Sequence, residues 1–269
     1  MKGMNRMTIL AAAALLLAAT LSCTRQQIRL VSYNVGAFGK ELEDSAPMVA
    51  RMLDELGAES VALAELDSCN TRHDINQAQH LADELNALAS GGKARWSARF
   101  GRAMAYAGGA YGCGVATRLR ILDSFRIPLP QEDGGEPRVC VVVETPRYVF
   151  ASCHLDHRSE RARLAQVRVL TEALKTRYGE GRKPVILAGD FNDYPDSQVI
   201  QELGQNWTRL SPLEPTFPAT GARVCIDYFF LLQGRASVKV VGGFVPTDFA
   251  SGDVTLASDH LPLVLDLVL

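Results

Sequence analysis

The chain of 269 residues has no excess of positive charge: 28 Lys and Arg stand against 30 Asp and Glu, a formal net charge of −2. Tracking a nucleic-acid backbone calls for a basic surplus or patch, so this balance argues against a nucleic-acid footprint. The six cysteines lack the paired spacing of a zinc site. The apolar run Ile9–Ala19 falls short of the ~18 residues that a bilayer span needs. No repeat, low-complexity tract or Pro/Ser-rich linker breaks residues 27–269, which excludes a solenoid and favours one domain.

What is present begins with an export signal. Lys2 and Arg6 form a basic start, Ile9–Ala19 an apolar middle, and small residues lead to Cys23. Residues 1–22 are read as the signal, 23–27 as a short tether and 28–269 as the catalytic domain. Cys23, in Thr20-Leu21-Ser22-Cys23, is read as a site of lipid attachment that would anchor the domain at a membrane surface. Release into the periplasm or medium is the alternative. Loss of residues 1–22 leaves 26 basic and 30 acidic residues, formally −4. Cys69, Cys113, Cys140, Cys153 and Cys225 are read as small buried hydrophobes, with one disulfide left open.

Short β-branched or apolar runs predict strands at Ile28–Tyr33, Ser60–Ala64, Gly114–Thr117, Val139–Glu144, Tyr148–Cys153, Pro184–Ala188, Asp227–Leu232, Val238–Val241 and Leu263–Val268. Helical spacing predicts helices over Ala46–Leu56, Ile75–Ala89 and Arg158–Tyr178. Strands outnumber helices, and Val139–Cys153 holds two in succession. The pattern favours two packed sheets with outer helices over a purely parallel doubly wound sheet. Gly91–Gly112 and Pro128–Pro137 read as loops that would set substrate choice.

Acids, amides and histidines sit where apolar strands finish. They are Asn34, Glu65, His154, Asp190 with Asn192, Asp227, and the pair Asp259-His260. Singly, each has an ordinary explanation as a turn former, a solvated strand end or a structural histidine. Together, two histidines, four acids and two amides beside buried strands make one rim the better account. Oxygen ligands without a Cys/His cluster suit a hard cation, Mg²⁺, Mn²⁺ or Ca²⁺. Glu65, Asp259 and Asn34 are the candidate ligands. Asp190 is the candidate base for a water, Asn192 a donor to phosphate or water, and His154 and His260 proton-bearing groups toward phosphate oxygens. Asp227 would orient one imidazole.

The chain resembles the endonuclease/exonuclease/phosphatase superfamily, the DNase I-like group, from about Ile28 to Leu269. The resemblance is carried by SYNVGAF (32–38), ALAELD (62–67), YGCGVATR (111–118), SCHLDHR (152–158), LAGDFND (187–193), CIDYFFL (225–231) and SDHLP (258–262). It implies an α/β fold, a four-layer sandwich of two mixed β-sheets flanked by helices. It also implies the same roles for Asn34, Glu65, Asp190, Asn192, Asp227, Asp259 and His260. His154 matches the mid-chain histidine of the DNase I-like, sphingomyelinase and phosphatase branches. Ala64 and Cys225 stand where the family commonly has Gln and Arg. Tyr111 and Arg158 are the candidate substrate contacts.

The expected activity is metal-dependent hydrolysis of small or lipid-linked phosphate esters by a monomeric exported enzyme. A DNase I-like secreted endonuclease, which needs a local basic groove, is the second reading, and a catalytically silent binding module of the same fold the third.

Overall fold

The computed structural model describes residues 27–89 and 95–269. The expected export signal, Cys23 and Gly91-Gly92 lie outside the described residues.

The strand runs that sequence marks as apolar on both faces become the interior strands of two sheets. In the first, β1 (Gln27–Asn34) lies between β2 (Ser60–Ser68), parallel to it, and β12 (Leu263–Val268), antiparallel to it. β4 (Gly109–Thr117) and β3 (Ser97–Tyr106) extend the β2 side, and β11 (Lys239–Phe244) closes the other, giving the order β11-β12-β1-β2-β4-β3. In the second sheet, β7 (Val149–His154) and β8 (Val185–Asp190) form a parallel pair. Around it lie β5 (Asp123–Leu129), β6 (Arg138–Glu144), β10 (Asp227–Leu232) and β9 (Trp207–Arg209), in the order β5-β6-β7-β8-β10-β9.

Three apolar layers hold this arrangement. Leu30, Phe150, Ile186, Phe229 and Leu265 meet between the sheets, where Phe150 and Phe229 stack with ring centroids 6.4 Å apart. Val49 and Leu53 of α1 (Ala46–Leu56) and Leu81 and Leu85 of α2 (Gln77–Leu88) cover the first sheet. Val167, Leu170 and Leu174 of α3 (Glu160–Tyr178), with Val199 and Leu203 of α4 (Gln198–Gly204), cover the second. A single-turn α5 (Val254–Ala257) precedes β12. The expected four-layer sandwich is the architecture observed.

Two helices start later than their apolar spacing predicts, because a polar side chain caps each. Asn76 accepts from the Gln79 amide, so α2 begins at Gln77, and Ser159 accepts from the Ala162 amide, so α3 begins at Glu160. The segment expected as a Gly91–Gly112 loop is, over its described part, the β3–β4 hairpin. No disulfide occurs among the described cysteines: four are buried and Cys69 is exposed.

Candidate active site

β1, β2, β7 and β8 end on one rim, and the antiparallel β10 begins there. Register does the alignment: His154 pairs with Asp190 across the parallel strands, and Asp227 with Asp190 across the antiparallel ones. Between β7 and β8 the backbones approach closely at Gly189. Its φ is +146°, and a Cβ there would meet the Cys153 carbonyl oxygen at 1.9 Å. Glycine is the residue that this approach tolerates.

Two of the polar side chains owe their direction to backbone in the left-handed region. Glu65 (φ 56°) sits where the register between β2 and β4 shifts, and Asn192 (φ 50°) follows the last residue of β8 by two. Non-glycine residues held there cost of order 1–3 kcal/mol each and persist where the surroundings over-determine them.

Asp190 is the centre of the arrangement. Its Oδ2 accepts from Asn34 Nδ2 at 3.0 Å and lies 3.5 Å from Nε2 of both His154 and His260. Its Oδ1 accepts from the Asn192 amide at 2.9 Å. Asn34 Nδ2 also donates to Glu65 Oε1 at 3.1 Å, while its Oδ1 accepts from the Gly36 amide. Turning the amide over would set its oxygen against two carboxylates and its NH₂ against a backbone N–H, so the network fixes the orientation. Asn34, expected as a cation ligand, bridges the two acids as a donor through Nδ2 while its Oδ1 accepts from the Gly36 amide.

The two histidines differ. His260 Nδ1 donates to Asp227 Oδ2 at 2.9 Å, which also accepts from the Thr216 hydroxyl at 2.6 Å. Burial alone would lower the His260 pKa, but the charges of Asp227 and Asp190 outweigh it and raise it to about 9. His154 is held well below the ordinary histidine value by burial and by the guanidinium of Arg138. Arg138 Nη1 donates to His154 Nδ1 at 3.0 Å, so the neutral ring carries its proton on Nε2, the nitrogen toward Asp190. Burial pushes Asp190 up to about 7, with the His260 charge opposing and Asp227 adding to the rise. One histidine is thus a cation, the other a neutral donor, and both face a carboxylate poised near neutrality.

Glu65 and Asp259 share a cationic partner. Lys40 Nζ lies 3.0 Å from Asp259 Oδ2 and 3.7 Å from Glu65 Oε2, so a positive charge already bridges the pair. A second group, Asp190, Asp227 and His260, offers three ligand atoms within 4.8 Å of one another and could bind a divalent metal. In that group, however, Asp227 Oδ2 is committed to His260 and Thr216, and His260 is protonated. The Glu65–Asp259 pair offers oxygens alone and would fit Mg²⁺ or Mn²⁺ with the Lys40 ammonium displaced.

These groups surround a trough of about 390 Å³ lined by Glu65, His154, Asp190, Asn192, Asp259 and His260 among others, with Asn34 and Asp227 bonded behind it. Tyr111 lies in its wall. Arg158 does not: it is exposed beyond His157, in an adjoining depression that it shares with Asn192 and Tyr194. Sequence reading missed Lys40, Glu136, Arg138 and His157. Arg138, only 5% exposed at the head of an apolar strand, was the one legible hint, since a buried arginine requires partners.

A profile described as Endonuclease/Exonuclease/phosphatase family matches residues 31–260. No curated protein gives a significant match. Among solved structures, an endonuclease/exonuclease/phosphatase from Beutenbergia cavernae is 22% identical, with TM-score 0.70, over 91% of this chain and 72% of that one. A mannosyl-6-phosphatase of Bacteroides thetaiotaomicron is 19% identical, with TM-score 0.69, over 90% of this chain and 100% of that one. The human Nocturnin catalytic domain, solved with a sulfate anion, is 21% identical, with TM-score 0.65, over 90% and 93%. At these identities the structures speak for a common fold, while the profile spans most of the sequence, from the middle of the first strand to the last histidine of the trough. This chain therefore belongs to the endonuclease/exonuclease/phosphatase family, with its DNase I-like α/β sandwich.

Proposed function

We propose that the protein is a metal-dependent hydrolase of phosphate esters, acting on small or lipid-linked substrates, with Asp190 as the base for the attacking water. One observation carries this reading: a buried carboxylate with a pKa near 7 lies 3.5 Å from two imidazole nitrogens. That is the set a P–O hydrolysis uses, a base matched to neutral pH beside donors for the developing oxyanion.

Asp190 takes the proton of a water held also by Asn192. His260, positively charged, and His154, donating through Nε2, hold the nonbridging phosphate oxygens. Asn34 keeps Asp190 and Glu65 in fixed relation. Glu65 and Asp259 would hold the divalent cation, which when bound neutralises charge on the phosphate and the departing oxygen. Lys40, released from the two acids, becomes a further cation for the substrate. The same-fold mannosyl-6-phosphatase is consistent with a phosphatase reading. The amino-terminal signal supports an exported, lipid-anchored or released enzyme.

Purified protein with Mg²⁺ or Mn²⁺ should hydrolyse a 4-nitrophenyl phosphodiester or phosphomonoester and leave plasmid DNA intact. Plasmid cleavage at substoichiometric enzyme would instead make the protein a nuclease, and turnover of nothing would make it a binding module.

A further inference from the structure

Beside the trough lies a second cavity of about 250 Å³ that shares Glu65, Tyr111 and Glu136 with it but touches none of Asp190, His154 or Asn192. Its far wall is built around Asp67, a fully buried carboxylate on β2. Arg72 donates to Asp67 through Nε at 2.6 Å and Nη2 at 2.8 Å, and His73 Nδ1 lies 2.8 Å from the same group. The loop carrying both is pinned: Asn70 Oδ1 accepts from the Arg72 and His73 amides, and the Thr71 amide donates to Ala107. Arg72 lies over the Tyr106 ring, 5.0 Å from its centroid, and Tyr106 is tilted 53° to Tyr111. These are preorganised side chains with no part in the proposed hydrolysis.

Their chemistry selects a ligand class. Arg72 spends Nε and Nη2 on Asp67, which leaves Nη1 as a donor. His73 likewise spends Nδ1 on Asp67, which leaves Nε2 available to a ligand. Glu136 adds acceptor oxygens and Lys40 a donor. A phosphate or carboxylate wants donors alone, whereas a hydroxyl uses a donor and an acceptor together. Two rings at 53° form no parallel slot for a nucleobase, but they offer apolar area to a C–H face. The volume is just below the ~300–1,000 Å³ of whole-ligand pockets, so it suits part of a substrate.

Direction follows from the displacement. In an in-line attack, water and leaving oxygen lie on opposite sides of phosphorus. This cavity opens from the trough at Glu65, Tyr111 and Glu136, whereas Asp190 and Asn192 line the trough and not the cavity.

Resting on the hydrolase reading, we propose that the cavity is the subsite of the leaving alcohol and that this alcohol is a polyol such as a sugar ring. Its hydroxyls are bound by Arg72 and His73, and its C–H face rests on Tyr106 and Tyr111. The water oxygen bonds to phosphorus as the P–O bond to the polyol breaks. One water proton passes to Asp190, and the departing polyol oxygen takes a proton from solvent.

The test compares wild type with Tyr106→Ala and His73→Gln, which leave Arg72 on Asp67. Esters of a hexose 6-hydroxyl and of 4-nitrophenol, each as monoester and methyl diester, are assayed with Mg²⁺. Both substitutions should lower the hexose-to-nitrophenyl ratio of kcat/KM at least tenfold, mainly through the hexose KM. An unchanged ratio overturns the subsite even if activity persists. Should wild type hydrolyse none of the esters, the hydrolase reading falls. The subsite is then decided by saturation-transfer NMR with hexose 6-phosphate, whose ring-proton signals must appear with wild type and vanish with Tyr106→Ala. Signals absent from wild type, or unaltered in the variant, overturn it.

Discussion

Asp190 is forced to serve two opposing ends. Its position between two histidines gives it a use, while burial makes its charge expensive. With a pKa raised to about 7, the folded chain holds that proton more tightly than the unfolded chain does. The stability Asp190 contributes is therefore full below its ordinary value and is lost as pH rises through about 7. Asp190→Asn, measured in EDTA, should raise Tm at pH 8 by more than at pH 5, while lowering kcat at least ~10²-fold, the low end for a general base. Equal turnover by the variant would remove Asp190 from the mechanism. The activity profile should be a bell, rising as Asp190 ionises toward about 7 and falling as His260 loses its proton near about 9. Asp227→Asn withdraws the charge that holds the His260 proton, so the alkaline limb of kcat should move to lower pH. A limb that stays in place would separate His260 from catalysis. At this scale the sequence marked the polar groups that gather at the trough. It could not tell the cationic histidine from the neutral one, because that depends on Asp227 and Arg138, 33 and 16 residues away from their partners.

Among the elements, legibility followed burial. Interior strands such as β1, β7, β8 and β10 are closed off on both faces and read as continuous apolar runs. The strands that escaped notice, β3, β5 and β9, are all at sheet edges. Each carries exposed residues and lacks a continuous buried run, and β5 contains Pro128, which an edge tolerates. Element packing sets two expectations. Leu170, fully buried on α3 against the second sheet, should cost about 2–5 kcal/mol on Leu170→Ala in urea unfolding. Gly189→Ala combines an unfavourable φ with a collision against the Cys153 carbonyl, so its loss should exceed the ~1–3 kcal/mol of a strained backbone residue alone. A variant of ordinary stability would mean that β7 and β8 can separate without consequence to the rim.

For the whole molecule, the two sheets work as jaws. Asn34 from one sheet reaches Asp190 in the other at 3.0 Å, and Ser152 Oγ donates to the Leu63 carbonyl between them at 3.0 Å. A cation on Glu65 and Asp259 would bind the folded state alone. At a hundred times its Kd it should add ~2.7 kcal/mol, a rise of roughly 5–10 °C in Tm for a chain of this size. Glu65→Gln should shift that titration to higher metal concentration, and an unaltered titration would strike Glu65 from the ligands. The sequence by itself determined the layers, through apolar runs whose period and length leave few ways to be buried, and it determined the types of reactive group at the strand ends. Tertiary structure alone decided which way those groups face: the amide of Asn34 turned to donate, Arg158 left outside, and Lys40, Arg72 and His73 brought beside Glu65. Burial is a property of each segment, whereas the direction of a polar side chain depends on partners that only folding brings within hydrogen-bonding distance.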